Sequence, residues 1–366
     1  MLMTRTPGPY RLTVTRPALP PRVTYEALID RIWDSGWLTN NGPLERELTA
    51  RLTEYLGAPH LQLVSSGTSA LQVALAALEC TGEVITTPYS FAATRNAVIR
   101  QGCEPVYCDI DPVSFTLDPQ AIEASLTPRT SAIVITTAYG LPANFDAIQE
   151  LADVHGIPTL YDHAHATGAR YRGRALATYG DIGALSFHAT KVFHTGEGGA
   201  LISHDPELDE KISLMKANGI DGDAVPHVGF NAKMSEMHAA MGLALLPELD
   251  ALIARRKACF TAYVKALADA PVRLIDPDAF GDFSWNYAYF PVVTRAGEVV
   301  ERIQAALADE GIESRRYFRP SFDSVDNARP CPVARDIASR VLSLPFSPFL
   351  TEDEIAQVAA IVRRQA

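Results

Sequence analysis

Short apolar runs alternate along the chain with stretches whose apolar residues recur every three or four positions. Thr24–Ser35 carries Leu28, Ile29 and Ile32 at helical spacing, and Pro43–Tyr55 resumes that pattern after the turn-forming segment WLTNNGP (37–43). From about residue 60 to 205 the texture changes. LQLVS (61–65), EVITT (83–87), EPVYCDI (104–110), SAIVITT (131–137), IPTLYD (157–162), IGALSF (182–187) and GGALIS (198–203) read as strands. The helical patterns TSALQVALAALEC, FAATRNAVIRQG and NFDAIQELADVHG fall between them. Strands alternating with helices of this length predict a mostly parallel sheet with helices on both faces. A run such as AIVITT suits a strand buried on both sides.

Beyond Met234 a long helical pattern is interrupted only by Pro247. NYAYFPVV (286–293) then reads as a strand, GEVVERIQAALADEGI as a helix, and a last helix starts near Glu352. The expected fold class is α/β: a large domain with a mostly parallel, mixed sheet flanked by helices, then a smaller α+β domain. Residues 1–245 would hold the N-terminal segment and the large domain, and 246–366 the linking helix and the small one. Two domains also suit 366 residues, since one domain takes roughly 100–200.

Composition narrows the function. Hydrophobic residues make up 47% and charged ones 20%, as in ordinary globular proteins. The 32 Lys+Arg against 43 Asp+Glu leave a net charge of −11, which argues against a nucleic-acid partner. No polybasic run suits an anionic membrane, and no stretch reaches the roughly 18 unbroken apolar residues of a span. The first 22 residues hold five prolines and no continuous apolar core, so they do not read as a secretory signal. Cys80, Cys103, Cys108, Cys259 and Cys331 are scattered, odd in number and without CxxC spacing. They fit buried, reduced thiols in a cytoplasmic protein.

Ligands of open α/β sheets bind beyond the carboxyl ends of the strands, so the residues there are the candidates. Ser66-Gly67-Thr68-Ser69 follows the first strand and opens a helix. Such an N-terminus binds phosphate through its free N–H groups, or Thr68 or Ser69 serves simply as the N-cap. Asp162-His163-Ala164-His165 ends the fifth strand. Its H-x-H spacing would aim both imidazoles to one face, as a metal site needs, with His155, His188 and His194 as further ligands. Alternatively Asp162 pairs with a cationic ring, or the histidines merely cap the sheet. Lys191 follows SFHAT among apolar neighbours and few acids, a setting that lowers an amine's pKa and permits a Schiff base. The competing reading is a surface or salt-bridged lysine. The GEGG turn (196–199) has no GK[ST] after it and is not a P-loop.

Taken together and in order, WLTNNGP, SSGTSALQVAL, TTPYSFAATRNAV, EPVYCDIDPVSFTLD, YGLPANFDAI, YDHAHATGA, SFHATKVFHTGEGGALIS, GFNAKMSEMHAAMGLALL and RRYFRP resemble the fold-type I pyridoxal-phosphate enzymes. Within them the chain resembles the DegT/StrS group of nucleotide-sugar aminotransferases, over nearly its whole length. The resemblance implies pyridoxal 5′-phosphate as cofactor and Lys191 as its Schiff-base lysine and acid/base. It implies Asp162 as the partner of the pyridine nitrogen, and Phe91 as the aromatic stacked on the ring. Gly67, Thr68, Ser69 and Ser186 would surround the phosphate, and Asn231 would reach it from a neighbouring subunit, which implies a homodimer with shared sites. His165 stands where the family usually has Gln and would still donate to the cofactor's 3′-oxygen. Arg315, Arg316 and Tyr317 match the region nearest the sugar, although each arginine also reads as a solvated charge. The implied reaction moves an amine from L-glutamate to a keto-sugar nucleotide. The pattern is most similar to enzymes aminating C4 of a dTDP-4-keto-6-deoxyhexose. No metal is implied. Two other classes compete: a metal-dependent hydrolase built on Asp162, His163 and His165, and a non-catalytic module that only binds the cofactor.

Overall fold

The computed structural model describes residues 10–366. The first nine residues, on which part of the reading against a secretory signal rests, lie outside the described residues. In chain order the strands of the first two-thirds are β1 (His60–Val64), β2 (Glu83–Thr86), β3 (Glu104–Tyr107), β4 (Thr130–Thr136), β5 (Thr159–Asp162), β6 (Arg170–Tyr171), β7 (Arg174–Ala175), β8 (Ile182–Ser186) and β9 (Gly199–Ser203). The remainder are β10 (Arg273–Leu274), β11 (Phe283–Ser284), β12 (Phe290–Val293) and β13 (Val341–Leu344). Seven of them form the main sheet in the order β1-β9-β8-β5-β4-β2-β3. Only β9 runs against its neighbours, so the sheet is mixed and mostly parallel, as expected.

Two helices precede the sheet, α1 (Arg22–Ser35) and α2 (Pro43–Leu56). Between its strands lie α3 (Gly67–Ala77), α4 (Ala92–Arg100), α5 (Pro119–Glu123) and α6 (Phe145–His155), and after it α7 (Pro206–Met215). Side chains alternate across the strands and so divide the interior into two layers. Val84, Val134, Leu160 and Ala184 join Ala70, Val73 and Ala74 of α3 on one face. Ile85, Ile133, Ile135 and Tyr161 join Phe145 and Ile148 of α6 on the other. Both faces are therefore covered, and β2, β5, β8 and β9 are buried at every position.

The helical stretch after Met234 is two helices, α8 (Glu236–Leu245) and α9 (Leu249–Ala266), joined by a 3-10 turn around Pro247. By length and mean hydropathy Glu236–Ala266 would suffice to cross a bilayer. Here its apolar residues Ala239, Leu243, Leu249, Leu252 and Phe260 lie in the protein core. The C-terminal part adds α10 (Gly297–Asp309), α11 (Phe322–Val325), α12 (Pro332–Arg340) and α13 (Glu352–Gln365) around the sheet β10-β12-β13. The strand expected over 286–293 forms only from Phe290. Tyr287 has a left-handed φ of 52°, and the Asn286 amide is drawn aside to the carbonyls of His165 and Thr167 at 2.7 and 2.9 Å. All five cysteines are free and buried.

Candidate active site

The parallel strands deliver Val64, Thr86, Thr136, Asp162 and Ser186 to one edge of the sheet, and the site is built there. At the end of β1 the chain turns into α3 through a capping box. The Ser66 hydroxyl accepts the Ser69 N–H at 3.0 Å, and the Ser69 hydroxyl accepts the Ser66 N–H at 2.9 Å. The N-cap is therefore Ser66, and neither Thr68 nor Ser69 takes that place. Ser69 is buried and held within the box, so its side chain does not line the cavity and is not the anion contact expected of it. The N–H groups of Gly67 and Thr68 have no partner among the described residues and remain free donors at the helix start. Gly67 has no room for a side chain, because a Cβ there would lie 2.7 Å from Cβ of Ser186.

Asp162 is 5% exposed. Its carboxyl accepts the Thr94 hydroxyl at 2.6 Å and the Ala164 N–H at 3.1 Å. Burial pushes its pKa up; those two donors and the nearby Lys191 ammonium pull the other way.

Beyond Asp162 the chain leaves the extended conformation and turns, so the H-x-H periodicity is lost. His163 goes beneath the sheet, stacked on Tyr161, with Nδ1 3.0 Å from the Thr137 hydroxyl and Nε2 3.3 Å from the Tyr179 carbonyl. His165 instead faces the cavity. Its Nδ1 accepts the Tyr139 N–H at 3.1 Å, which leaves the proton on Nε2, and burial keeps the ring neutral. The imidazoles diverge, and among the described residues no three His, Cys, Asp or Glu side chains are grouped to hold a metal. The remaining candidates do not rescue the metal reading: His155 is exposed at the end of α6, His194 is engaged with the Ala18 carbonyl at 2.8 Å and His188 with the Thr190 hydroxyl at 2.8 Å. The hydrolase reading thus lacks its donor set.

His163 also makes a prediction about acid stability. Burial lowers its pKa from 6.5 to about 3. A depressed folded pKa contributes stability that is complete above about 6.5 and is lost as pH falls from there toward 3. The urea midpoint should drop between pH 7 and pH 5, the unfolding free energy falling by up to about 1.4 kcal/mol per pH unit for each such histidine. In His163→Leu the drop should be smaller. A wild-type midpoint that does not move over this range would contradict the buried neutral ring.

Lys191 sits in the turn after β8, where its N–H reaches the His188 carbonyl at 2.9 Å. Burial of the ammonium lowers its pKa to about 8 against the opposing pull of Asp162 and Tyr317. It is half-buried in the cavity wall and forms no ion pair among the described residues. The GEGG turn lets the chain return directly as β9; a Cβ on Gly199 would come within 2.6 Å of the Leu185 carbonyl oxygen.

A cavity of about 230 Å³ joins these parts. Gly67, Thr68, Phe91, Asp162, His165, Ser186, Lys191, Arg315 and Tyr317 all line it. Phe91 stands 61% exposed at its rim. Arg316 does not line it; its guanidinium turns away to the carbonyls of Ala338 and Ser339 at the end of α12. Alternate residues of the extended RRY segment point opposite ways, which sends Arg315 and Tyr317 one way and Arg316 the other. Asn231 is exposed, outside this cavity, and accepts from Lys233 Nζ at 2.8 Å. The sequence reading missed Thr94, Tyr289 and Phe318; the last two line the cavity from aromatic clusters, NYAYF and RRYF, that could have flagged them.

The donor set fits a flat cationic ring carrying an anion. Free N–H groups and hydroxyls stand at one end, a buried carboxyl at another, and an amine of lowered pKa between apolar walls. The Thr136 hydroxyl, also lining the cavity, is buried without a partner. Pyridoxal 5′-phosphate matches that demand.

A sequence profile described as the DegT/DnrJ/EryC1/StrS aminotransferase family matches residues 23–363. The chain is 38% identical over 360 residues to a dTDP-4-amino-4,6-dideoxy-D-glucose transaminase of Shigella dysenteriae, covering 96% of this chain and 98% of the relative. It is 37% identical to the Escherichia coli enzyme of the same name, with the same coverage. Among solved structures, that of DesI in the presence of its TDP-sugar product superposes with a TM-score of 0.92 at 37% identity, over 96% of this chain and 92% of the other.

Proposed function

The chain belongs to the DegT/DnrJ/EryC1/StrS aminotransferase family, and from that premise we propose that it uses pyridoxal 5′-phosphate to move an amine from L-glutamate to C4 of dTDP-4-keto-6-deoxyglucose. It is a transaminase by family. The observation that carries the cofactor assignment is the convergence of Lys191, Asp162 and the free start of α3 on one cavity. The sugar rests on the two relatives, whose names carry a dTDP-linked 4-amino-4,6-dideoxy-D-glucose.

When bound, the cofactor supplies an electron sink for the carbanion formed where the amine enters or leaves. Each side chain then has a physical task. Lys191 Nζ would hold the cofactor and would take and return the substrate proton. At a pKa of about 8, roughly a tenth of the amine is neutral and nucleophilic at pH 7. The Asp162 carboxylate holds a proton on the ring nitrogen, and the Thr94 hydroxyl fixes its orientation. His165, its Nδ1 engaged by Tyr139, can only donate from Nε2, toward the ring oxygen. The N–H groups of Gly67 and Thr68 and the hydroxyls of Thr68 and Ser186 receive the phosphate. Arg315 and Tyr317, which line the same cavity, receive the nucleotide sugar.

We place the division between the two domains at the turn after Leu245, and we propose a homodimer in which the partner's Asn231 completes the phosphate site. The exposure of Asn231 and its position outside this chain's own cavity support that arrangement. Five free, buried cysteines suit a reducing cytoplasm. A module that only binds the cofactor would leave the lowered amine pKa of Lys191 without a use. The test is to supply dTDP-4-keto-6-deoxyglucose and L-glutamate to the cofactor-loaded protein. Formation of 2-oxoglutarate and the 4-amino sugar in equal amounts is expected. Turnover of a 3-keto isomer instead would overturn the assignment to C4.

A further inference from the structure

Tyr139 combines features that its neighbours do not explain. It follows β4 in a left-handed backbone conformation, φ 59°, that glycine adopts freely and a bulky residue does not. It is 0% exposed, and all its polar groups are engaged. Its N–H goes to His165 Nδ1 at 3.1 Å, and its carbonyl accepts Trp285 Nε1–H at 2.9 Å. Its hydroxyl bonds to the Tyr317 carbonyl. Tyr89, also 0% exposed and carried by the segment after β2, brings a second hydroxyl to the same carbonyl at 2.8 Å. The two hydroxyl oxygens are 2.6 Å apart.

Two hydroxyl protons thus serve three close oxygens in a buried pocket. A carbonyl has two lone pairs and can accept both. Phenylalanine would fill the same apolar space without bringing polar atoms that must be satisfied, so packing alone does not account for the hydroxyls. What they hold is the peptide of Tyr317, whose side chain enters the cavity and bonds with Arg315 through its hydroxyl at 3.2 Å. Phe318, next in the chain, is wedged against both rings, edge-on to Tyr89 at 5.4 Å and stacked on Tyr139 at 6.2 Å.

We propose that Tyr89 and Tyr139 are a positioning pair: from two strand ends of the main sheet, their hydroxyls grip the Tyr317 carbonyl and set how deeply Arg315 and Tyr317 stand in the nucleotide-sugar half of the cavity. Tyr139 ties this setting to the cofactor half, because the same residue fixes the donor nitrogen of His165. The inference rests on Arg315 and Tyr317 being the sugar-binding arm.

Tyr89→Phe, Tyr139→Phe and the double variant remove hydroxyls only; the Tyr139 backbone bonds to His165 and Trp285 are kept. KM for dTDP-4-keto-6-deoxyglucose should rise about threefold in each single variant and roughly tenfold or more in the double, with kcat within about twofold and KM for L-glutamate unmoved. Arg315→Ala is the reference. If it raises the sugar KM while the folded tyrosine variants do not, the positioning pair is overturned and the substrate arm stands. If Arg315→Ala leaves the sugar KM unchanged, the arm itself is wrong and the pair falls with it. A fall in kcat with unchanged KM also overturns the pair. Should the double variant fail to fold, the single variants decide by the same KM criterion.

Discussion

Replacing Lys191 with alanine should lower turnover by at least about a thousandfold while leaving the fold intact. Both half-reactions need a proton taken from one carbon and delivered to another, and among the described residues no second amine lines the cavity to do it. Burial already disfavours the charged form of Lys191, which lowers its pKa to about 8. The sign follows: this depressed pKa destabilises the cofactor-free protein below about 8 and ceases to do so as pH rises to 10.5. Removing the amine therefore relieves a desolvated charge, and the thermal midpoint of cofactor-free Lys191→Ala should not fall at pH 7. Steady-state assays and a melting curve check the two halves of the prediction. An active alanine variant would contradict the role given to Lys191.

Asp162→Asn should keep most of the cofactor affinity and lose activity by about a hundredfold or more. The amide is nearly isosteric. Its oxygen can still accept the Ala164 N–H, and its NH2 can donate to the Thr94 hydroxyl. Without a negative charge, however, nothing holds the proton on the ring nitrogen. A buried carboxylate is also disfavoured by desolvation in the absence of its partner, so the amide should not weaken the empty protein. Rates of each half-reaction beside cofactor retention separate binding from chemistry. A rate near wild type would mean that Asp162 positions the ring and does no more.

The main sheet was legible because its strands are buried on both faces and leave apolar runs, as in Ile133–Ile135, with helical periods between them. The two-residue strands β6, β7, β10 and β11 left no such signal, since a pair of residues has no period to read. At the site, Lys191, Asp162 and Gly67 were visible at strand ends, where ligands of open α/β sheets bind. Spacing failed where backbone geometry changed. The H-x-H reading assumed that the strand went on past Asp162, but a turn sends His163 under the sheet and His165 into the cavity. Ser69 was expected at the phosphate, yet a hydroxyl three residues after an N-cap serine is also a capping-box partner, and the cap prevails here. Tyr89 and Tyr139 lie 50 residues apart, and both meet a carbonyl far along the chain. That convergence is a property of topology, and no local pattern carries it.

An absorption spectrum of the purified, cofactor-loaded protein, taken before and after adding L-glutamate, tests the central claim most directly. The account predicts a band near roughly 410–430 nm that gives way to one near about 330 nm as the bound cofactor accepts the amine. A protein that stays colourless with added pyridoxal 5′-phosphate would contradict it, because Lys191 would then form no Schiff base.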